Sequence, residues 1–329
     1  MSVDVQLADL FALVRPDLAR VEARVRAAAE TAYPLLSAVV GDIVGAGGKR
    51  LRPALMLLIA RAYGHEREGV ISAAAAAELL HTAGLVHDDI VDRADTRRGA
   101  PTLNALFGSS TAILVGDYLF AQAARTAAET DSARVMAIFG QILAEIIDGQ
   151  LREIFKAHDP EQTREDYERR IYGKTASLFA GSAEIAGVLC ERAPDELAAL
   201  RRYGSALGLA FQVVDDVLDI QQTTATLGKP AGSDLRQGTV TLPMMLFLAD
   251  GHDLAAVALL RRAIGGDGVT DAEYDAALDA LRATSVLRDS LAEAVRYAER
   301  AKAELAVLPP GPPRDSLAAL ADFAVERRR

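Results

Sequence analysis

The chain has 329 residues, half of them hydrophobic and 5% aromatic, with no Trp. That length holds two average domains or one large helical one. Its 36 basic residues against 46 acidic give a net charge of −10, which argues against a nucleic-acid partner, because such binding needs a basic surface to displace counterions.

Helix formers fill the sequence and β-branched runs of period two are scarce, so the expected class is all-α. The segment Met1 to Leu13 carries Asp4 and Asp9 and no basic leader before an apolar run, unlike a signal peptide. Pro16 suits the first turn of a helix running to about Glu30. Gly45-Ala46-Gly47-Gly48 reads as a loop that delivers Lys49, Arg50 and Arg52 at the next helix start. An apolar, alanine-rich helix from about Ile71 to Asp92 ends in acidic residues, and a second, from about Asp195 to Ile220, ends the same way. His87, the alanines at 73–77 and Cys190 read as packing. Cys190 is the lone cysteine, so no intrachain disulfide forms and nothing suggests an oxidising compartment.

Gln221 to Pro243 is polar, with Gly228, Pro230, Gly232 and Gly238 and no apolar period. Loops this long inside a compact domain tend to be functional lids. Apolar runs such as Leu242 to Ala249 fall far short of the roughly 18 residues of a membrane span. Thr270-Asp271-Ala272-Glu273 is a capping box opening a helix, and Pro309 to Pro313 separates two terminal helices. With no internal repeat and no low-complexity linker, a single helical domain over 1–329 is expected, in a cytoplasmic protein without a membrane span.

The strongest chemical signal is a pair of matching acidic clusters, Asp88-Asp89-Ile90-Val91-Asp92 and Asp215-Asp216-Val217-Leu218-Asp219. In each, the first and last aspartates are four apart and share a helix face, where like charges destabilise. Placing them after Leu85-Val86 and Val213-Val214, which look buried, raises that cost. Divalent cations would resolve the repulsion, and an all-carboxylate donor set suits a hard ion such as Mg²⁺, which takes one or two carboxylates with water and phosphate oxygens. A solvated acidic helix end explains one such cluster more readily than two copies of the same pattern. Neither fits a calcium loop, whose alternating acids and central Gly are missing.

The second signal is basic. Lys49, Arg50 and Arg52 follow the glycines, Arg97 and Arg98 follow the first acidic cluster, and Lys174 precedes Thr175, with Lys229 in the polar loop. Arginines fork onto phosphate oxygens and lysines act there as point charges. A nucleotide-binding P-loop is excluded by spacing, since Ile43 stands where its first Gly should be and Arg50 replaces the hydroxyl residue after the Lys.

Together these pieces resemble the trans-isoprenyl diphosphate synthases, the polyprenyl synthetase family. The matching stretches are Gly47 to Pro53, His81 to Asp92 with Arg97-Arg98-Gly99, Gly173-Lys174-Thr175, Phe211-Gln212 to Asp219, and Gly232-Ser233-Asp234 to Pro243, in family order, with a similar ending at Ala321-Asp322-Phe323. The resemblance implies the isoprenoid synthase fold, a single large helical bundle with a central apolar cavity, and a homodimer. It implies that Asp88, Asp92 and Asp215 are the principal residues holding three Mg²⁺ ions, with Asp89, Asp216 and Asp219 in support. The allylic diphosphate would lie against those ions, Arg97, Lys174 and Lys229, with Thr175 and Gln212 lining the same site. Isopentenyl diphosphate would sit on Lys49, Arg52, His81 and Arg98. His81 alone would read as a core histidine, but seven residues before Asp88 it is two helical turns from the cluster.

The chemistry explains these choices. Breaking an allylic carbon–oxygen bond leaves a diphosphate anion, stabilised by metal ions and basic side chains, and a carbocation that needs a dry apolar pocket. No side-chain nucleophile is required. A terpene cyclase has no use for the Lys49, Arg52, His81 and Arg98 group. A non-catalytic subunit of a two-component synthase would tolerate loss of aspartates, and none is lost. On product length, the tail of a growing chain would run from Asp88 back down the preceding helix, past Gly84, Ala83, Leu80 and Ala77, the last about 16 Å below Asp88. No bulky side chain there stops it, so a heptaprenyl to decaprenyl product is expected ahead of farnesyl or geranylgeranyl, with transient membrane contact for its release. A side chain from another helix, such as Phe120 or Phe139, is the alternative floor.

Overall fold

A computed structural model describes residues 9–28, 30, 34–45, 48–65, 68–97, 99–221, 232–250 and 253–326. In chain order the first helices are α1 (Arg15–Ala27), α2 (Pro34–Gly45), α3 (Leu51–Ala62) and α4 (Glu68–Val91). A two-residue antiparallel hairpin follows, β1 (Thr96–Arg97) and β2 (Ala100–Pro101), the only sheet among the described residues. Then come α5 (Leu103–Phe107), α6 (Ser109–Ala128), α7 (Ala133–Lys156), α8 (Arg164–Ile171), a π-helical turn at Tyr172–Ala176, α9 (Ser177–Leu189) and α10 (Pro194–Gln221). The chain ends with α11 (Ser233–Arg236), α12 (Leu242–Asp250), α13 (Leu254–Gly265), α14 (Asp271–Arg282), α15 (Val286–Glu304) and α16 (Pro312–Glu326). The fold is all-α.

Several expected boundaries move. The first helix stops at Ala27 rather than Glu30, and Gly45 closes α2 instead of opening a loop. The polar stretch after Gln221 does not stay irregular to Pro243: α11 interrupts it, and Pro243 sits in the first turn of α12, where its missing N–H has no helical partner to lose. The rest of that stretch, 222–231, lies outside the described residues. Thr270 does form the capping box, accepting from the Glu273 amide while the Glu273 carboxylate accepts from the Thr270 amide.

The chain divides into two compact units, each taken from three stretches of sequence. The first comprises Met1–Leu143, Leu178–Gly204 and Ala301–Leu320. Its centre is α4, which packs most heavily on α6 and also on α3 and α1. Ala73 to Ala77 are all buried there, their short side chains letting neighbouring helices approach closely. Among the described helices α4 is long and apolar enough to cross a membrane, contrary to the sequence expectation, but 78% of that stretch is buried inside the protein, as in a core helix. The buried Tyr203 hydroxyl donates to the Leu317 carbonyl at 2.8 Å, tying α10 to α16 within this unit.

The second unit comprises Ala144–Ser177, Ser205–Arg300 and Ala321–Arg329. Ile220, Leu235, Met244, Leu260, Leu278 and Leu281 anchor its core, drawn from α10 to α14. Gly232 has φ +67, a conformation that favours glycine, and a Cβ there would push aside the Leu278 methyls, 2.6 Å away.

At the π turn the Ser177 amide donates to the Tyr172 carbonyl, five residues back. Such bulges recur at functional sites, and this one carries Lys174 and Thr175. It rests directly on the backbone of α7: a Cβ on Gly173 would lie 2.6 Å from the Glu145 carbonyl oxygen and 2.9 Å from the Gly149 Cα. Neither neighbour can yield as a flexible side chain would. Gly149→Ala should therefore lower the urea-unfolding free energy by about 1–3 kcal/mol. Gly140→Ala on the same helix, where a Cβ meets nothing within 4 Å, should leave it unchanged or raise it by up to ~1 kcal/mol. Equal effects of the two substitutions would remove the close approach as their cause.

Candidate active site

In the first unit, α4 carries Asp88 half-buried and Asp89 buried, and stops at Val91. Its end is a Schellman arrangement: the Arg93 amide donates to the Ile90 carbonyl and the Ala94 amide to the Asp89 carbonyl, with Arg93 in the left-handed region at φ 52. Asp92 follows the last helical residue, yet its amide still donates to the Asp88 carbonyl at 2.8 Å. Asp88 and Asp92 thus stay one turn apart, as the spacing implies. The chain then turns back through the β1–β2 hairpin, which Thr102 fastens by donating its hydroxyl to the Ala94 carbonyl at 2.6 Å. That return brings Arg97 to Asp89, the guanidinium Nε donating to the carboxylate at 2.6 Å. Burial pushes the Asp89 carboxyl up, and the Arg97 charge and hydrogen bond pull it down. Arg97, expected on an allylic diphosphate, is thus already engaged by the middle aspartate of its own cluster. Arg98 lies outside the described residues.

Of the other basic residues in this unit, Arg50 takes a left-handed conformation just before α3 and forms an ion pair with the buried Glu78 of α4. Arg52 lies over the Phe179 ring, 4.4 Å from its centroid. A cavity of about 310 Å³ is lined by Arg50, Glu78, His81, Asp89 and Arg97 on its polar side and by residues such as Leu85, Leu103 and Phe107 on its apolar side. His81 therefore opens on a cavity that holds two ion pairs. His87 instead packs edge-on against Phe120, centroids 5.1 Å apart, over Gly116 of α6, where it fills the space a Cβ would need; it is a packing residue.

In the second unit, α10 presents Asp215 half-buried, with Asp216 and Asp219 buried. A chain of hydrogen bonds ends on Asp216. The Thr175 hydroxyl donates to Gln212 Oε1 at 2.6 Å, and Gln212 Nε2 donates to Asp216 Oδ1 at 2.9 Å. From the other side the wholly buried Tyr167 donates its hydroxyl to Asp216 Oδ2 at 2.7 Å. The acceptor carboxylate fixes which end of the Gln212 amide it meets, so Gln212 offers its oxygen to Thr175. Asp219 faces the chain beyond the 222–231 stretch. Its carboxylate accepts from the Ser233 hydroxyl at 2.7 Å and the Asp234 amide at 3.0 Å, and its carbonyl from the Gly232 amide at 3.0 Å.

Lys174 donates to Glu153 of α7 at 2.5 Å, and Glu153 lies 3.9 Å from the buried Arg170. Arg170 in turn donates to the Val240 carbonyl at 2.7 Å. Tyr167, Glu153 and Arg170 carry no motif signal and escaped the sequence reading. Spacing alone offered one clue, because Tyr167, Arg170 and Lys174 follow one another at three and four residues along one helical stretch. Lys229 falls among the undescribed residues.

Among the described residues no three His, Cys, Asp or Glu side chains gather into a ready-made metal group. Mg²⁺ does not need one, since water and substrate phosphates complete its octahedron. The donor set fits that mode: in each cluster the second aspartate is turned inward and hydrogen-bonded, while the first, Asp88 or Asp215, is only half-buried.

The polyprenyl synthetase family model matches residues 33–281. The octaprenyl diphosphate synthase of Escherichia coli (strain K12) is 37% identical over 96% of this chain and 98% of its own. A polyprenyl synthase from Caulobacter crescentus CB15, solved in complex with calcium and isoprenyl diphosphate, superposes with a TM-score of 0.93 at 37% identity, covering 100% of this chain and 98% of that one. A decaprenyl diphosphate synthase from Rhodobacter capsulatus gives 0.91 at 36%, covering 98% and 99%.

Asp216 also sets a pH dependence. Burial pushes its carboxyl up to about 7, with a further push from Asp215, against the hydrogen bonds of Gln212 and Tyr167 and the charge of Arg170. In the unfolded chain the group returns to about 3.9. Between those values the folded state holds a proton that the unfolded chain has released. The stabilisation is therefore complete below about pH 4 and lost as pH rises through about 7. In metal-free buffer the thermal midpoint of the parent chain, less that of Asp216→Asn, should fall between about pH 5 and 7.5. A difference that stays flat would mean the carboxylate is ionised throughout.

Proposed function

The chain belongs to the polyprenyl synthetase family, and from that premise we propose that it condenses isopentenyl diphosphate with an allylic diphosphate to give an all-trans, long-chain polyprenyl diphosphate, heptaprenyl to decaprenyl. The observation that carries this reading is the repeated acidic helix end, each copy presenting a half-buried first aspartate beside an inward-tied second one. Asp88, Asp92 and Asp215 would hold magnesium, three ions in all. Those ions would supply charge stabilisation to the departing diphosphate. Lys174 and Arg97, with Lys229, orient the allylic diphosphate, and Lys49, Arg52, His81 and Arg98 the isopentenyl diphosphate. Thr175 and Gln212 turn oxygen atoms toward one another, an electron-rich pair suited to a neighbouring developing cation. The same reading takes the two compact units as one working domain, a view supported by their interleaving in sequence.

A homodimer is part of the proposal. In α7 the exposed Ile147, Leu151, Ile154 and Phe155 form one apolar stripe at helical spacing, and α6 exposes Ile113 and Leu114. Apolar helix faces of this kind suit a second copy of the chain. A cytoplasmic location accompanies it, in keeping with a chain whose single cysteine, Cys190, is buried and offers no disulfide framework.

The purified chain with Mg²⁺, isopentenyl diphosphate and farnesyl diphosphate should release long-chain product, and sedimentation velocity on that preparation should read a dimer. Asp88→Ala and Asp215→Ala should each cut turnover by at least about 100-fold, with helical circular dichroism nearly unchanged. Activity within tenfold of the parent chain for either variant would end the metal assignment.

Product length rests on α4. A Cβ on Gly84 would meet nothing within 4 Å, so that position has room beside the first cluster, while Ala77, Leu80 and Ala83 are small or aliphatic residues packed in the core. Relatives named octaprenyl and decaprenyl diphosphate synthases point the same way. Gly84→Phe or Ala83→Phe should shorten the main product by one or more isoprene units, read by mass spectrometry. Product of unchanged length from both would place the growing tail elsewhere.

A further inference from the structure

We propose that Tyr167, which belongs to neither acidic cluster, is a positioning residue for the second one: its hydroxyl holds Asp216 turned inward, leaving Asp215 as the presented carboxylate. The inference rests on the reading of Asp215 as a metal-holding residue. Tyr167 is fully buried on α8, and its hydroxyl reaches Asp216 Oδ2 at 2.7 Å, while Gln212 occupies Oδ1 at 2.9 Å. Each oxygen of the buried carboxylate thus receives one donor, from a different side. Asp215 and Asp216 are adjacent on α10 and their charges oppose one another, and without a fixed inward partner the second carboxylate can swing toward the first. There it would add a like charge against Asp215.

The placement of Tyr167 gives this bond a second consequence. α8 runs straight into the π turn that bears Lys174 and Thr175. One turn along from Tyr167, Arg170 holds the Val240 carbonyl and lies beside Glu153, the partner of Lys174. A single helix thereby sets the second acidic cluster and the cation expected on the same diphosphate in one register. Partners that orient a ligand without touching the metal are worth about 10–100-fold in metal affinity.

The test measures Mn²⁺ binding by electron paramagnetic resonance in the presence of inorganic pyrophosphate, on the full chain. Tyr167→Phe removes one oxygen and no packing volume. It should weaken Mn²⁺ binding by about tenfold or more, in the same direction as Asp215→Ala. Asp216→Asn, which keeps the shape and leaves Tyr167 in place, should weaken it as well. The double variant should bind no more weakly than the worse single one, because both break the same contact. Tyr203→Phe is the matched control: it deletes an equally buried hydroxyl, bonded to the Leu317 carbonyl, and should lower the thermal midpoint without changing Mn²⁺ affinity. Unchanged Mn²⁺ binding by Tyr167→Phe, with Asp215→Ala impaired, would overturn the role of Tyr167 alone. Unchanged binding by Asp215→Ala would overturn the metal reading beneath it.

Discussion

Everything in the candidate site stems from the difficulty of packing carboxylates against an apolar core. Val86 and Val213-Val214 are buried, and the aspartates that come after them cannot all face water. In both clusters the second aspartate takes the inward position and receives donors there: Arg97 for Asp89, Tyr167 and Gln212 for Asp216. An unpartnered carboxylate at such a place would cost several kcal/mol or give up its charge. Satisfying the second aspartate therefore decides the orientation of the first. The hairpin after α4 and the placement of α8 both serve that end.

The two clusters share five residues of pattern but not a conformation. Asp92 lies past the end of α4, beside a turn with Arg93 in the left-handed region. Asp219 lies inside α10 and caps the segment starting at Gly232. Such a cap satisfies the Asp234 amide, which short α11 leaves without a helical acceptor. The first cluster is left with two carboxylates one turn apart and half-buried, the second with one. That asymmetry is the one the proposed ligands, Asp88 and Asp92 from the first cluster and Asp215 from the second, would call for. Its origin is the chain immediately after each pattern, a Schellman turn in one case and more helix in the other.

How much of this was legible in the sequence depends on range. The all-α class, the capping box at Thr270 and the acidic helix ends at Asp88 and Asp215 are local patterns of composition and spacing, and they read directly. The partners of the buried aspartates come from elsewhere. Tyr167 precedes Asp216 by 49 residues, and Glu153 precedes Lys174 by 21, and nothing in helical periodicity links them. Pro243 misled because a proline marks a helix start as well as a break. In α4 the alanines are apolar enough for a membrane by composition and length alone, and the distinction lies in neighbouring helices that cover them. The π turn left no trace, since one additional residue in a helical turn changes no composition.

The cationic side chains share one further trait. Arg97 is held by Asp89, Lys174 by Glu153 and Arg50 by Glu78. In a chain of net charge −10, each pairing neutralises a basic group before any anion arrives, and so lowers the gain from binding one. Pairing also confines a long side chain that would otherwise lose about 1.5–2 kcal/mol of rotamer freedom on ordering. A diphosphate carries more charge than one carboxylate and brings cations with it, so it competes for these groups on favourable terms, whereas a singly charged metabolite does not. Pre-paired cations thus trade affinity for discrimination. Ordering them with carboxylates favours multiply charged anions over singly charged ones, and both proposed substrates are diphosphates.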